Sequence, residues 1–393
     1  MKAYRSSILY FSPAAAPQAS AVLEDDGLLV VGPNAQGRQV VLAVGPYREL
    51  QPRFADLAVT HWPGRIIAPG FVDLHSHYPQ TNVIGSPAEG LLPWLENYTF
   101  PEEKRFSSPE YSAQEATFFI AELLRHGVTT ALTFATSHSS SVNALFQEAQ
   151  QQQMRLITGL CLMDRHAPVD LLNQRPAAGL ADATEQSLID SENLLQRWHG
   201  VDRLGYAITP RFAPTSTDAQ LRGAGELAAR YPEVWIQSHV AENKAEIAWA
   251  RELFPASRSY LATYADFGLM RQRAVYAHCI HFDDEDRALM RSTGAAAAIS
   301  PTSNLFLGTR FTRCWRRITW GGKGRAKPVC HSRRNSSGGS TRQVPPKRSG
   351  WRGWWATCCR AAKPILSCST PKPRRCWPAR RRWPITWTSC CFR

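Results

Sequence analysis

The final 85 residues of this 393-residue chain contain neither aspartate nor glutamate, although they hold 22 of its 46 lysines and arginines. That absence distorts the whole-chain average. A formal charge of +14 suggests a polyanionic partner, yet residues 1–308 carry 24 basic against 32 acidic side chains and are net acidic. Cysteine is nearly missing from the same front part, where only Cys161 and Cys279 occur. This excludes a disulfide framework and makes a reducing cytoplasm the expected setting. No apolar run approaches the roughly 20 residues that a membrane span needs, and the run ending at Phe11 is too short for a signal peptide. A soluble cytoplasmic protein with no membrane partner is expected.

What is present changes character along the chain. Residues 1–64 give short β signals punctuated by turns, such as Leu28–Val31 followed by Gly32, Pro33 and Asn34. From residue 65, short apolar runs alternate with helical stretches, the mark of βα units. The runs are Ile66–Val72, Val128–Phe134, and segments near 155–162, 204–209, 234–240, 274–278 and 295–299. Seven such runs predict an α/β fold, a TIM-like (β/α)8 barrel that is one strand short by residue 308.

Chemistry gathers at the ends of these runs. The first continues into Asp73, Leu74, His75, Ser76 and His77. Alternate residues of a strand point the same way, so His75 and His77 share one face. Two imidazoles so spaced can bind one divalent metal, and the end of a barrel strand opens onto the catalytic face. A lone strand-end histidine is ordinarily a hydrogen-bonded structural residue. Here His239 closes the run Val234–Ser238 and His278 the run Ala274–Ala277, making four histidines on three candidate barrel strands. Glu242, three residues past His239, stands where it can carry a proton; its alternative role is a solvated carboxylate at a helix start.

The residues then take on a specific likeness. Pro69–His77 resembles the opening metal motif of the amidohydrolase superfamily. Tyr78–Thr81, Gly90–Glu102, Thr209–Thr215, Ser238–Asn243 and Ser300–Leu305 resemble the guanine deaminases within it. By that resemblance the fold is an amidohydrolase barrel over residues 65–308, with residues 1–64 contributing the N-terminal part of a small β-sandwich. The resemblance implies one zinc ion (Zn2+) held by His75, His77, His239 and His278, with Glu242 as the proton shuttle. It also implies a small-molecule substrate, guanine, recognised by Gln80, Arg211 and Phe212, and a homodimer. The expected reaction is zinc-dependent hydrolysis of guanine to xanthine and ammonia; another amidohydrolase substrate is the alternative.

Residues 309–393 depart from this pattern. The family resemblance calls for a final strand ending in a metal-ligand aspartate, and this segment has none. It holds eight of the ten cysteines and eight of the thirteen tryptophans. Codons for both begin with TG, so a frame starting one nucleotide earlier would encode Leu, Met or Val there. A displaced reading frame after about residue 308 is therefore expected, giving a disordered basic tail and a chain without its last metal ligand, for which a catalytically inactive relic is the further alternative. Clusters such as Arg380, Arg381 and Arg382 permit nonspecific phosphate contacts, but no specific nucleic-acid partner is expected.

Overall fold

The computed structural model describes residues 1–12, 20–173 and 182–307; the expectations for residues 309–393 lie outside them. Strands β1 (Lys2–Phe11), β2 (Ala21–Pro33), β3 (Gln39–Pro46) and β4 (Val59–Ile67) form one four-stranded sheet in the order β3-β2-β1-β4. β1 pairs antiparallel with β2 and parallel with β4. Alternation buries Tyr4, Ile8, Leu29 and Val31 on one face, and Ala3, Leu28 and Val30 on the other.

The apolar run Ile66–Val72 is divided between two sheets. Ile66 and Ile67 pair with Ser7 and Ile8 of the small sheet, whereas Phe71 opens the barrel strand β5 (Phe71–His77) beside β6 (Val128–Phe134). Gly70 marks the break. A Cβ there would lie 2.0 Å from the Thr129 hydroxyl oxygen, so only glycine lets the chain pass β6 at this point.

The main sheet is parallel throughout and runs β12-β11-β10-β9-β7-β6-β5. Its remaining strands are β7 (Arg155–Thr158), β9 (Leu204–Pro210), β10 (Trp235–Val240), β11 (Ala274–His278) and β12 (Ala296–Ala298), with the two-residue β8 (Cys161–Leu162) paired to β9. The seven expected runs thus appear as a seven-stranded path. Among the described residues no hydrogen-bonded pairing joins β12 to β5.

Helices α1 (Pro109–Arg125), α2 (Ser139–Gln151), α3 (Ala183–Trp198), α4 (Asp218–Arg230), α5 (Lys244–Leu253), α6 (Tyr260–Asp266), α7 (Asp284–Thr293) and α8 (Pro301–Phe306) separate or follow these strands. Several start on side-chain caps that satisfy first-turn amides: Ser108 for α1, Asp182 for α3, Thr217 for α4 and Asn243 for α5. The longer helices bury apolar stripes in the main core, such as Phe119 and Ile120 of α1 and Leu221, Ala224 and Leu227 of α4. β9 is buried along its whole length, as a strand covered on both faces must be. No helix among the described residues is long and apolar enough to cross a membrane.

Candidate metal centre

The histidines expected from sequence converge where the strands end. His75 and His77 come from β5, His239 from β10 and His278 from the last residue of β11. One ring nitrogen from each of His75, His239 and His278 lies within 4.8 Å of the others. His77 joins through its Nε2, 2.9 Å from His239 Nε2. β5 is irregular here: its register against β6 shifts between Asp73 and Ser76, and the Asp73 carboxylate accepts the His75 amide at 3.0 Å. Such a bulge re-aims a side chain, and it brings the His75 and His77 rings to 5.1 Å in an edge-on arrangement.

Hydrogen bonds settle the direction of two rings. His239 Nδ1 donates to the Arg211 carbonyl at 2.6 Å, and His278 Nδ1 donates to Asn304 Oδ1 at 2.8 Å. In each the proton sits on Nδ1 and the Nε2 lone pair faces the cluster, the arrangement by which a second group fixes the tautomer of a metal-binding histidine. Desolvation, reinforced by neighbouring imidazoles, pushes His75, His77 and His239 well below their ordinary pKa. Burial lowers His278 as well, against the opposing effect of Asn304.

Neutral imidazoles with converging lone pairs suit a divalent cation. The 2.9 Å separation of His77 Nε2 and His239 Nε2 also puts these two ring nitrogens close enough for one ion to take both. Phe134, at the end of β6, floors the cluster: its ring centroid lies 4.6 Å from His77, stacked, 4.4 Å from His239 and 5.4 Å from His75.

Glu242 follows Ala241, whose φ of 52° lies in the left-handed region. Its carboxylate is buried, with Oε2 3.3 Å from His278 Nε2. Oε1 has no hydrogen-bond partner among the described residues. Burial pushes this carboxyl up to about 8. Glu242 precedes the helix start at Asn243, so it is not the solvated first-turn carboxylate that sequence allowed. That first turn carries Glu246, also buried and raised to about 7 by burial and by the neighbouring Glu242.

The three residues expected to read a purine are placed differently. Gln80 sits in the 3-10 turn Tyr78–Val83 and lines a cavity of about 520 Å³ together with Ser76, His77 and Thr81. Arg211 and Phe212 follow β9, and neither lines that cavity. Phe212 is buried, bridges to His239 in parallel register and packs edge-on to Trp249 at 6.0 Å. Arg211 is buried with both terminal nitrogens on the Glu103 carboxylate. Burial works against the guanidinium charge, but Glu103 overrides it and leaves Arg211 above its usual range.

Glu103, Phe134, Asn304 and Trp249 are site residues that sequence reasoning missed. Glu103 and Phe134 adjoin or end segments that were singled out, and Asn304 lies within one, but none carries a local pattern that reveals its role.

A parallel barrel with histidines and a buried carboxylate at its strand ends defines a class of metal-dependent hydrolase. Residues 66–323 match the amidohydrolase family, and the chain belongs to that family. It is 43% identical over 286 residues to the guanine deaminase of Escherichia coli (strain K12), a match covering 72% of this chain and 62% of that protein. The chain thus spans under two thirds of that relative's length. Among solved structures, E. coli guanine deaminase superposes with a TM-score of 0.74 at 38% identity, covering 80% of this chain and 71% of that one. Guanine deaminase from C. acetobutylicum with guanine bound in its active site gives 0.72 at 28% identity, with coverage of 80% and 71%.

Proposed function

We propose that this chain hydrolyses guanine to xanthine and ammonia, with one zinc ion held by His75, His77, His239 and His278 and with Glu242 moving the proton. The observation that carries this reading is the Glu242 carboxylate, buried 3.3 Å from His278 Nε2 with its other oxygen unpartnered among the described residues. The names and identities of the relatives support guanine as substrate.

A bound zinc supplies Lewis acidity and brings the pKa of water down to about 7. Glu242 would then carry one proton from the attacking water to the ring nitrogen beside the amino-bearing carbon. A second transfer releases the amine as ammonia, so guanine and water are consumed and xanthine and ammonia appear. The buried Glu242 carboxylate, with Oε1 unpartnered among the described residues, is placed to hold the proton between the two transfers. Arg211 and Gln80 supply polar contacts to the purine edge, and Phe212 an aromatic face. The protein works in the cytoplasm as a homodimer; the scarcity of cysteine in residues 1–308, where only Cys161 and Cys279 occur, suits a reducing compartment.

The test uses the full chain loaded with zinc, with metal content measured and xanthine formation followed by ultraviolet absorbance. One zinc per chain with xanthine formation is the expected result. Turnover of a different aminoheterocycle would replace guanine as substrate. Zinc retention with no turnover would overturn the reading and leave an inactive metal-binding relic, the alternative that the lack of aspartate in residues 309–393 raises.

A further inference from the structure

The turn that carries Glu242 is built around a second carboxylate with no part in the reaction outlined above. Glu246 Oε2 accepts the amide of Asn243 at 3.2 Å, the ordinary reciprocal bond of a helix capping box. It also accepts the amide of Glu242 itself at 3.1 Å, a bond that capping does not require. Two successive amides converge on one oxygen because Ala241 adopts a left-handed φ of 52°, and consecutive N–H groups in such a turn form an anion-binding concavity. The anion here is supplied from within the chain. Its other oxygen, Oε1, accepts the Tyr260 hydroxyl at 2.7 Å, so α6 holds Glu246 from the far side. Glu246 and Tyr260 are both buried.

We propose that Glu246, braced by Tyr260, is a positioning residue that fixes the backbone of Glu242 and thereby aims its carboxylate at the metal centre. A plain helix cap would need only the Asn243 bond; the Glu242 bond ties the cap to the reactive side chain. Arg211 and Phe212 stand on a different turn, after β9, whereas Glu246 makes its hydrogen bonds to Glu242, Asn243 and Tyr260. The proposal rests on the role given to Glu242, and its test separates the two.

The full-length, zinc-loaded wild type is compared with Glu246→Ala, Glu246→Gln and Tyr260→Phe by amide hydrogen exchange over residues 239–246 and by guanine kinetics. In Glu246→Ala the Glu242 and Asn243 amides are expected to exchange about 10-fold faster or more. The same variant should lose about 100-fold in kcat, the scale of a slight misplacement of a reacting group, with KM little changed. Glu246→Gln should restore both, because its carbonyl oxygen accepts the same amides and its NH2 reaches the Tyr260 oxygen. Protected amides in Glu246→Ala, a loss confined to KM, or no rescue by glutamine would overturn the proposal. Should Glu246→Ala fail to fold, Tyr260→Phe decides: faster exchange at Glu242 supports the tie, and unchanged exchange refutes it. A wild type inert toward guanine would remove the proposed function, while the exchange data would still decide the positioning.

Discussion

Glu103 and Arg211, 108 residues apart, meet as a two-point ion pair in which Nη2 stands 2.8 Å from Oε1 and Nη1 reaches Oε2. Both side chains are 2% exposed or less. Removing one partner strands the other charge away from water, which costs about 3–5 kcal/mol. Glu103→Ala and Arg211→Ala should each lower unfolding stability on that scale, and the double variant should cost much less than their sum. Denaturant unfolding of the four proteins measures the coupling; additive losses would show that the pair is not acting as a unit.

Asn304 acts on the metal centre through His278. Loss of its 2.8 Å bond to Nδ1 frees the ring to rotate and to change tautomer. Outer-shell partners of this kind are worth about 10–100-fold in metal affinity. Asn304→Ala should weaken zinc binding by that factor in competition with a chromophoric chelator, and His278→Ala should weaken it further.

Phe134 is 1% exposed and contacts three of the four imidazoles. Phe134→Ala should cost about 3–5 kcal/mol through lost burial and the cavity left behind. Metal content after gel filtration should fall with it, since the rings lose their floor. Phe134→Leu, which keeps most of the volume, is expected to recover stability more fully than metal retention.

Gly70→Ala introduces a Cβ 2.0 Å from Thr129 Oγ1 and 2.4 Å from Thr129 Cγ2. Overpacking of this kind costs about 1–3 kcal/mol. Thr129→Ala in the same chain should recover part of that loss, because the Thr129 Cβ, 2.7 Å away, remains. Thermal melting of the single and double variants reads the recovery.

The strand-end histidines were legible because strand alternation and apolar runs are local: His75 and His77 two apart, His239 and His278 closing their runs. The barrel was legible for the same reason, down to strands Val128–Phe134 and Ala274–His278. The division of Ile66–Val72 between two sheets was not, since hydrophobicity does not say which sheet a residue joins. Glu103 stayed hidden because its partner is remote, and a buried ion pair leaves no periodic trace. Glu246 shows in sequence as no more than a carboxylate four residues past Glu242; its bond to the Glu242 amide depends on the backbone angle at Ala241, which alanine does not advertise.

Two of the four imidazoles ride on β5, whose ladder among the described residues is to β6 alone and is broken at two points. Phe71, Val72 and Leu74 on that strand are exposed. A strand so thinly held opens locally far more often than the whole molecule unfolds. The rate at which a bound ion escapes would then be a clock for β5 opening. It would be set by breaks in a backbone ladder rather than by bonds at the ion, and it would quicken with any change that loosens β5 from β6.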